Sequence, residues 1–181
     1  MLNSLRTRIG NVILKRDAAT FIRNRSMMNL TSAKSIGILY PLFAIPDYRQ
    51  VESFVSELQH QHKEVKALGY VQYKEMGNRF LPKLSYDFFS QQQLNWYCKP
   101  VNNKVRDFIA QEYDLLIDLT IEENLPLKFV AGLSRARCKV GRFSEENEPY
   151  YDLMIKIDPV ERLSGFISQV KHYLTIIKQH E

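Results

Sequence analysis

Cysteine and glycine are scarce in this chain, and the scarcity of each excludes a class of protein. Only 2 of the 181 residues are cysteine, and Cys98 and Cys138 have no neighbours at metal-ligand spacing, so neither a disulfide framework nor a zinc site is predicted. The 7 glycines form no phosphate-binding loop, and no nucleophile has a base nearby in the sequence. We therefore expect no cofactor and no metal, and we lean towards a protein without catalytic activity.

Long hydrophobic runs are also missing. The longest uncharged stretch, near residues 36–46, has the length of a strand, whereas a bilayer crossing needs roughly 18–20 apolar residues. A hydrophobic content of 45% and a charged content of 25% are ordinary values for a soluble globular protein. We expect one compact domain core in a reducing, cytoplasmic compartment.

Positive charge is concentrated at the start of the chain. Residues 1–34 contain seven lysines and arginines against the single acid Asp17, whereas the whole chain has a formal net charge of only +5. Such asymmetry is typical of proteins that bind an acidic partner. Six of these cations are predicted to contact that partner: Arg6, Arg8, Lys15, Arg16, Arg23 and Arg25.

The same segment predicts a basic amphipathic helix. Its apolar residues lie within about 100° of one another on a helical projection, at Leu2, Leu5, Ile9, Val12 and Ile13. This stripe either packs on the rest of the protein or contacts a partner. A cleaved mitochondrial presequence is an alternative, because the segment is rich in arginine and nearly free of acids. We divide the chain into a helical arm, residues 1–34, and a single domain, residues 35–181.

Strand and helix patterns alternate along the domain. Strands are predicted over residues 35–42, 65–73, 113–119, 138–143 and 150–157, with helical spacing between them. Alternation of this kind implies parallel strands joined by right-handed crossovers. We predict a three-layer α/β sandwich with a mainly parallel, Rossmann-like sheet of about five strands. Residues near 74–100 lack periodicity and predict an irregular insertion with a short strand.

Polar side chains follow several of the predicted strands. Ligands of open α/β sheets bind beyond the carboxyl ends of the strands. The candidate ligand-binding residues there are Tyr40, Asp118, Thr120, Arg142 and Ser144. One acid, one base and hydroxyl groups could hold a small polar molecule. The alternative is that Asp118 caps a loop or pairs with a neighbouring base.

A second basic cluster surrounds the fourth predicted strand, at Arg135, Arg137, Lys139 and Arg142. Alternation places Arg137 and Lys139 on the same face of that strand. The cluster either protects a sheet edge from aggregation or joins the arm in a phosphate-binding surface.

Two resemblances add expectations. The run YDLLIDLT followed by LPLKFVAGLSRARCKVGRF, about residues 112–143, resembles a segment of the N-terminal Rossmann-like domain of lipopolysaccharide heptosyltransferases. That resemblance implies a nucleotide- or sugar-binding domain, and Asp47 is the only acid it carries across. Where those enzymes have a glycine-bearing turn, this chain has proline and bulky residues from Tyr40 to Pro46, and no length remains for their second domain. The chain as a whole resembles an uncharacterised bacterial family, a domain of unknown function.

Three functions remain open on the sequence. We expect a non-enzymatic α/β protein whose basic arm binds RNA or a ribonucleoprotein. The first alternative is a degenerate nucleotide- or sugar-binding domain. The second is attachment of the same helix to an anionic membrane surface.

Overall fold

The computed structural model describes residues 2–42, 45–72, 84–158 and 162–177. Over these ranges it contains six strands, β1 Ser35–Leu42, β2 Glu64–Val71, β3 Tyr86–Ser90, β4 Leu115–Asp118, β5 Cys138–Arg142 and β6 Leu153–Ile155. All pair in parallel, in the order β3-β2-β1-β4-β5-β6. The predicted α/β fold with a parallel, Rossmann-like sheet is confirmed.

Helices cover both faces of the sheet. In the described ranges the α-helices are α1 Leu2–Thr20, α2 Ile45–His60, α3 Asn103–Ala110, α4 Leu125–Leu133 and α5 Leu163–Ile176. Helices α2 and α5 pack on one face, and α3 and α4 pack on the other. The central strand β1 is buried on both faces because its run SIGILYPL alternates residues towards each helical layer.

Strand β3 lies within the segment that predicts an irregular insertion. It forms one edge of the sheet and pairs with β2, with Gly69 opposite Phe88. The loop after β3 is irregular, since residues 94–102 form turns and an isolated bridge between Leu94 and Pro100. Residues 73–83 of the predicted insertion lie outside the described residues.

Helix α1 is docked on the domain. Leu14 is fully buried against Gly132, and an added Cβ at Gly10 would collide with the Tyr97 carbonyl oxygen. Glycine at position 10 therefore lets α1 approach closely. Helix α4 is buried from Pro126 to Gly132 because the sheet covers one side of it and α1 the other.

The face that α1 buries differs from the predicted apolar stripe. Leu5 is 55% exposed and Val12 is 70% exposed, so the prediction that these residues pack against protein is wrong for the isolated chain. Gly10 and Leu14 face inwards instead, with Ile13 partly buried beside them. The sequence pattern was misleading because glycine contributes no apolar signal, although it marks the point of closest approach.

Residues 21–29, which we call the strap, tie α1 to both faces of the domain. The Ser26 amide donates to the Arg137 carbonyl oxygen at 3.1 Å, just before β5. Beyond the strap, the Leu30 amide donates to the Leu174 carbonyl oxygen in α5, and Leu30 joins the core under α5. The strap therefore passes the amino end of the sheet from the α4 side to the α5 side.

Strand β5 is an interior strand. It lies between β4 and β6, with Val140 opposite both Ile117 and Leu153. The interpretation of Arg137 and Lys139 as a sheet-edge device is therefore wrong. The short strand β6 covers that edge.

The chain reverses its direction of winding between β1 and β4. Strand β1 continues to β2 through α2 on one face, whereas β4 continues to β5 through α4 on the opposite face. The connections therefore diverge at the carboxyl ends of these adjacent strands. A crevice forms at such a reversal, and open α/β sheets bind their ligands there.

Candidate functional site

A crevice of about 700 Å³ lies at the carboxyl ends of β1 and β4 to β6. The starts of α2 and α5, the loop after β4 and the end of β5 surround it. The residues that line it are Pro41, Pro46, Asp47, Gln50, Leu119, Ile121, Glu122, Glu123, Arg142, Ile157, Asp158, Arg162 and Leu163. Six of them are apolar and seven are polar or charged. The volume lies within the range of about 300–1,000 Å³ that is usual for small-molecule sites.

The start of α2 forms one wall of the crevice. Pro46 lies in the first turn, where the absent amide hydrogen costs no helical bond. Asp47 also lies in this turn, where a carboxylate interacts favourably with the positive end of the helix dipole. Gln50 follows one turn later and brings an amide group to the same wall.

The opposite wall holds a short chain of charges. Glu123 lies 3.8 Å from the Arg142 guanidinium at the end of β5, and its second oxygen contacts the Lys128 ammonium group of α4. The Lys128 side chain is 8% exposed and Glu123 is 50% exposed. Glu123 thus lies between two cations and compensates the Arg142 charge only in part.

Several buried polar atoms near the carboxyl end of the sheet have no hydrogen-bond partner among the described residues. Gln50 Oε1 lines the crevice, Thr120 Oγ1 follows β4, and Ser144 Oγ follows β5. A buried polar atom without a partner costs about 1–3 kcal/mol, so such atoms are rare in folded proteins. Of these three residues only Gln50 lines the crevice, so a molecule bound there would complete the hydrogen bonding of Gln50.

Only one of the five predicted ligand-binding residues lines the crevice. Arg142 points into it, and its side chain is 28% exposed. Thr120 and Ser144 are adjacent to its lining residues, with the unpartnered hydroxyl groups described above.

Asp118 lies on the other face of the sheet. It is 3% exposed, accepts a 2.6 Å hydrogen bond from the Tyr151 hydroxyl group and accepts another from the Thr120 amide. Burial raises the pKa of the Asp118 carboxyl group, and the two hydrogen bonds oppose that rise. The prediction that Asp118 contacts a ligand is wrong for this geometry, and the alternative of a loop cap is what the structure shows.

Tyr40 is also removed from the crevice. Its ring is 1% exposed, packs 6.5 Å from the Tyr48 ring and fills the space over Gly69. Burial raises the pKa of the Tyr40 hydroxyl group far above its ordinary value. That hydroxyl group has no hydrogen-bond partner in the described structure, yet nothing exposes it to a ligand.

Sequence reasoning missed most of the polar lining. Glu122 and Glu123 follow β4 by four and five residues, and Asp158 and Arg162 lie between β6 and α5. The signal was present, since the loop IEEN separates a buried strand from a helix capped by Asn124, whose side chain accepts from the Leu127 amide at 3.2 Å. We considered only the first polar residues after each strand, whereas the loop carries its charges further along.

Only some of the cations that were predicted to form one basic surface are exposed. Arg8, Lys15, Arg16, Arg25, Arg135 and Arg137 are exposed. The Arg6 side chain is partly buried and its Nε donates to the Trp96 carbonyl oxygen at 2.5 Å. Backbone contacts of the strap bring Arg25 beside Arg135 and Arg137 at the amino end of the sheet, and we call these three residues the amino-end cluster.

Arg23 and Lys139 cannot serve the surface for which they were predicted. The Arg23 side chain is 5% exposed, and its Nη2 donates to both carboxylate oxygens of Asp152 at 2.5 and 2.6 Å. Lys139 is 2% exposed and donates to the Gly132 carbonyl oxygen at the end of α4. Burial, together with the nearby Arg23 charge, lowers the pKa of Lys139 to about 7.

Comparison with known protein families decides the relationship of the chain. The model of a family of unknown function, DUF6913, matches residues 6–177. The chain belongs to this family. The match includes α1, the strap, every strand of the sheet and α5, so DUF6913 describes the whole architecture rather than one motif. Comparison with curated proteins gives no match.

Membrane-spanning helices and clusters of metal ligands are both missing from the described residues. No helix among them combines the length and apolar content that a bilayer crossing requires. In the same ranges, no three histidine, cysteine, aspartate or glutamate side chains converge as ligands of one metal ion would.

Proposed function

We propose that this DUF6913 protein binds a small organic molecule in the crevice between α2 and α5. The observation that carries the proposal is the position of the crevice, at the winding reversal between β1 and β4. At this point the sheet presents the carboxyl ends of its strands to solvent, and two helices diverge to leave an opening.

The residues that line the crevice also support ligand binding. Leu119, Ile121 and Ile157 offer apolar contact, while Arg142 and the acids offer fixed polar groups. The buried Gln50 Oε1 lacks a donor within the described structure, so a ligand N–H or O–H group would gain a hydrogen bond there without displacing a protein contact. A sugar- or nucleotide-like molecule has the matching mixture of apolar rings and donors.

A thermal-unfolding screen against free sugars, nucleosides, nucleotides and nucleotide sugars tests the proposal. A ligand at 100 times its dissociation constant adds about 2.7 kcal/mol to the free energy of unfolding, which for a domain of this size raises Tm by roughly 5–10 °C. The Gln50→Leu variant should lose most of the shift, because it removes the acceptor and keeps the side-chain volume. Glu112→Ala, at the amino end of the sheet, is the matched control and should keep it. An equal shift in both variants would place the ligand elsewhere.

Association with RNA is a second candidate, carried by the amino-end cluster. Arg25 and Arg135 are exposed, and no ion pair among the described residues involves either of them. Arg137 pairs with Asp114 at 3.6 Å, and Glu112 lines the same surface depression as Arg135. The positive charge of the cluster is therefore only partly compensated, as a surface that binds phosphates requires.

Charge-reversal variants test this second candidate without disturbing the fold. Arg25→Glu combined with Arg135→Glu should abolish salt-sensitive co-sedimentation with RNA, whereas Arg49→Glu with Arg106→Glu, on exposed faces of α2 and α3, should not. RNA binding that survives the first pair would refute the candidate. Flotation with anionic liposomes in place of RNA co-sedimentation would assign the surface to a membrane instead.

A further inference from the structure

The strand order of this sheet occurs in dinucleotide-binding proteins, but the charges around the crevice oppose that use. In those proteins the pyrophosphate lies at the amino end of a helix, close to a glycine-rich turn. Here both α5 and α2 start beside the crevice, and Asp47 occupies the first turn of α2. A phosphate group placed there would meet a carboxylate at the very position where the helix dipole would otherwise attract it.

Negative charge also dominates the rest of the lining. Asp47, Glu122, Glu123 and Asp158 face two arginines. Arg142 lies 3.8 Å from Glu123, whose carboxylate it shares with Lys128, so the charge of Arg142 is partly compensated. Asp47 and Glu122, by contrast, have no hydrogen-bond or ion-pair partner among the described residues and remain open to a ligand.

Apart from the Arg162 guanidinium group, the lining groups that remain unpaired are acceptors. The Asp47 and Glu122 carboxylates come from two different walls of the crevice, and the buried Gln50 carbonyl oxygen lies one turn after Asp47. Carboxylate and carbonyl oxygens accept hydrogen bonds from hydroxyl and amino groups and repel phosphate oxygens. A metal ion does not explain the acids, because no three of the described ligand-type side chains converge on one point.

We infer that the crevice binds an unphosphorylated molecule rich in hydroxyl or amino groups, of the free sugar, amino sugar or nucleoside class. The inference depends on the proposed function and specifies the ligand chemistry of the same site. Hydroxyl or amino groups donate to Asp47, Glu122 and Gln50, and a ring of the ligand packs on Leu119 and Ile121. A positive charge on the ligand strengthens binding, and a phosphate weakens it.

Matched ligand pairs test the inference by calorimetry. Adenosine, uridine and glucosamine are each compared with the corresponding monophosphate. A negative charge about 4–6 Å from an open carboxylate is repelled at a protein surface, so the phosphorylated member should bind at least about tenfold more weakly, a difference of about 1.4 kcal/mol or more. Replacement of both acids, Asp47→Asn with Glu122→Gln, should remove most of that difference, and the control Glu112→Gln with Glu145→Gln should retain it.

Inorganic pyrophosphate is a second probe that requires no knowledge of the natural ligand. In residue-resolved NMR titrations of the wild-type protein, we expect no saturable shift in the amides of Leu119–Asn124. Saturable pyrophosphate binding there, or tighter binding of the phosphorylated partner in a pair, would overturn the inference while leaving the proposed function intact. Absence of binding by every compound of both kinds would reject the proposed function itself, and the inference with it.

Discussion

Replacement of Arg23 by methionine should destabilise the protein strongly, although the residue lies in a basic segment that looks like a flexible arm in the sequence. The substitution keeps most of the aliphatic side chain and removes the guanidinium group. That group donates to both oxygens of Asp152 and to the carbonyl oxygens of Ala136 and Arg137 at 3.0 and 2.8 Å. No other described residue replaces these contacts at the amino end of β5.

The expected cost follows from burial. The Arg23 and Asp152 side chains are 5% and 12% exposed, so their attraction is little screened by water. Removal of one member of such a pair leaves the other as an uncompensated charge, which costs about 3–5 kcal/mol. Asp152 retains the Lys139 amide as a donor at 2.8 Å. We therefore expect a loss near the lower end, about 3 kcal/mol.

Urea unfolding measures this cost directly. Arg25→Met, two residues along the strap and exposed, is the matched control and should change the free energy of unfolding by less than about 0.5 kcal/mol. The double variant Arg23→Met with Asp152→Asn should be less destabilised than the sum of the single variants, by about 1–3 kcal/mol, because the pair is coupled. A loss below about 1 kcal/mol for Arg23→Met would show that the strap is a loose arm and that the account of the amino end is wrong.

Three further predictions concern the core. Leu14→Ala should cost about 2–5 kcal/mol in urea unfolding, because Leu14 is fully buried between α1 and α4, whereas Leu5→Ala should be nearly neutral; equal effects would contradict docking of α1. Lys139 has a folded-state pKa of about 7, below the value of 10.5 expected in the unfolded chain. Between these pH values the protein takes up a proton when it unfolds. Its free energy of unfolding should therefore rise with pH by up to about 1.4 kcal/mol per unit. From pH 7.5 to 9.5, the free energy of unfolding should rise less steeply in Lys139→Met than in the wild-type protein. Equal slopes in the two proteins would refute the assignment of the lowered pKa to Lys139. Tyr151→Phe should cost about 1–3 kcal/mol at pH 7 by leaving Asp118 without its hydroxyl donor. Because burial raises the pKa of Asp118, protonation of the carboxyl group should make this loss of stability smaller as the pH falls, and a loss that grows would contradict the proposed pairing.

The sheet was predictable because its strands carry their own signal. Central parallel strands are buried on both faces, so β1 and β4 read as short apolar runs with little ambiguity. Strand β3 was less visible. It follows residues without periodicity. Its aromatic residues Phe88 and Phe89 face opposite helical layers, and this depends on tertiary packing that the local sequence does not reveal.

The role of the first 34 residues could not be predicted from charge alone. Formal charge counts Arg23 and Arg25 equally, yet one is buried in an ion pair and the other is exposed. The partner, Asp152, lies 129 residues away in the chain. A truncation that removes the arm would therefore uncover α4 as well as remove cations, and point substitutions on the surface are the cleaner test of an anionic partner.

The candidate site was predictable in place and not in detail. The rule that ligands bind at the carboxyl ends of parallel strands led to Arg142, which lines the crevice, but it also led to Asp118, whose side chain points to the opposite face. Strand alternation decides to which face of the sheet Asp118 points. That face can be assigned only when the register of β4 with β1 is known. The acids Asp47 and Glu122 come from connections whose path depends on where the helices begin.

The most direct test of the central claim is a residue-resolved NMR titration of the intact protein with the sugar or nucleoside that gives the largest thermal shift. The account predicts saturable amide shifts in residues 119–124 and at Arg142, with none in Arg25, Arg135 or Arg137 at the opposite end of the sheet. Shifts confined to the amino end, or saturable binding with no change around the crevice, would contradict it.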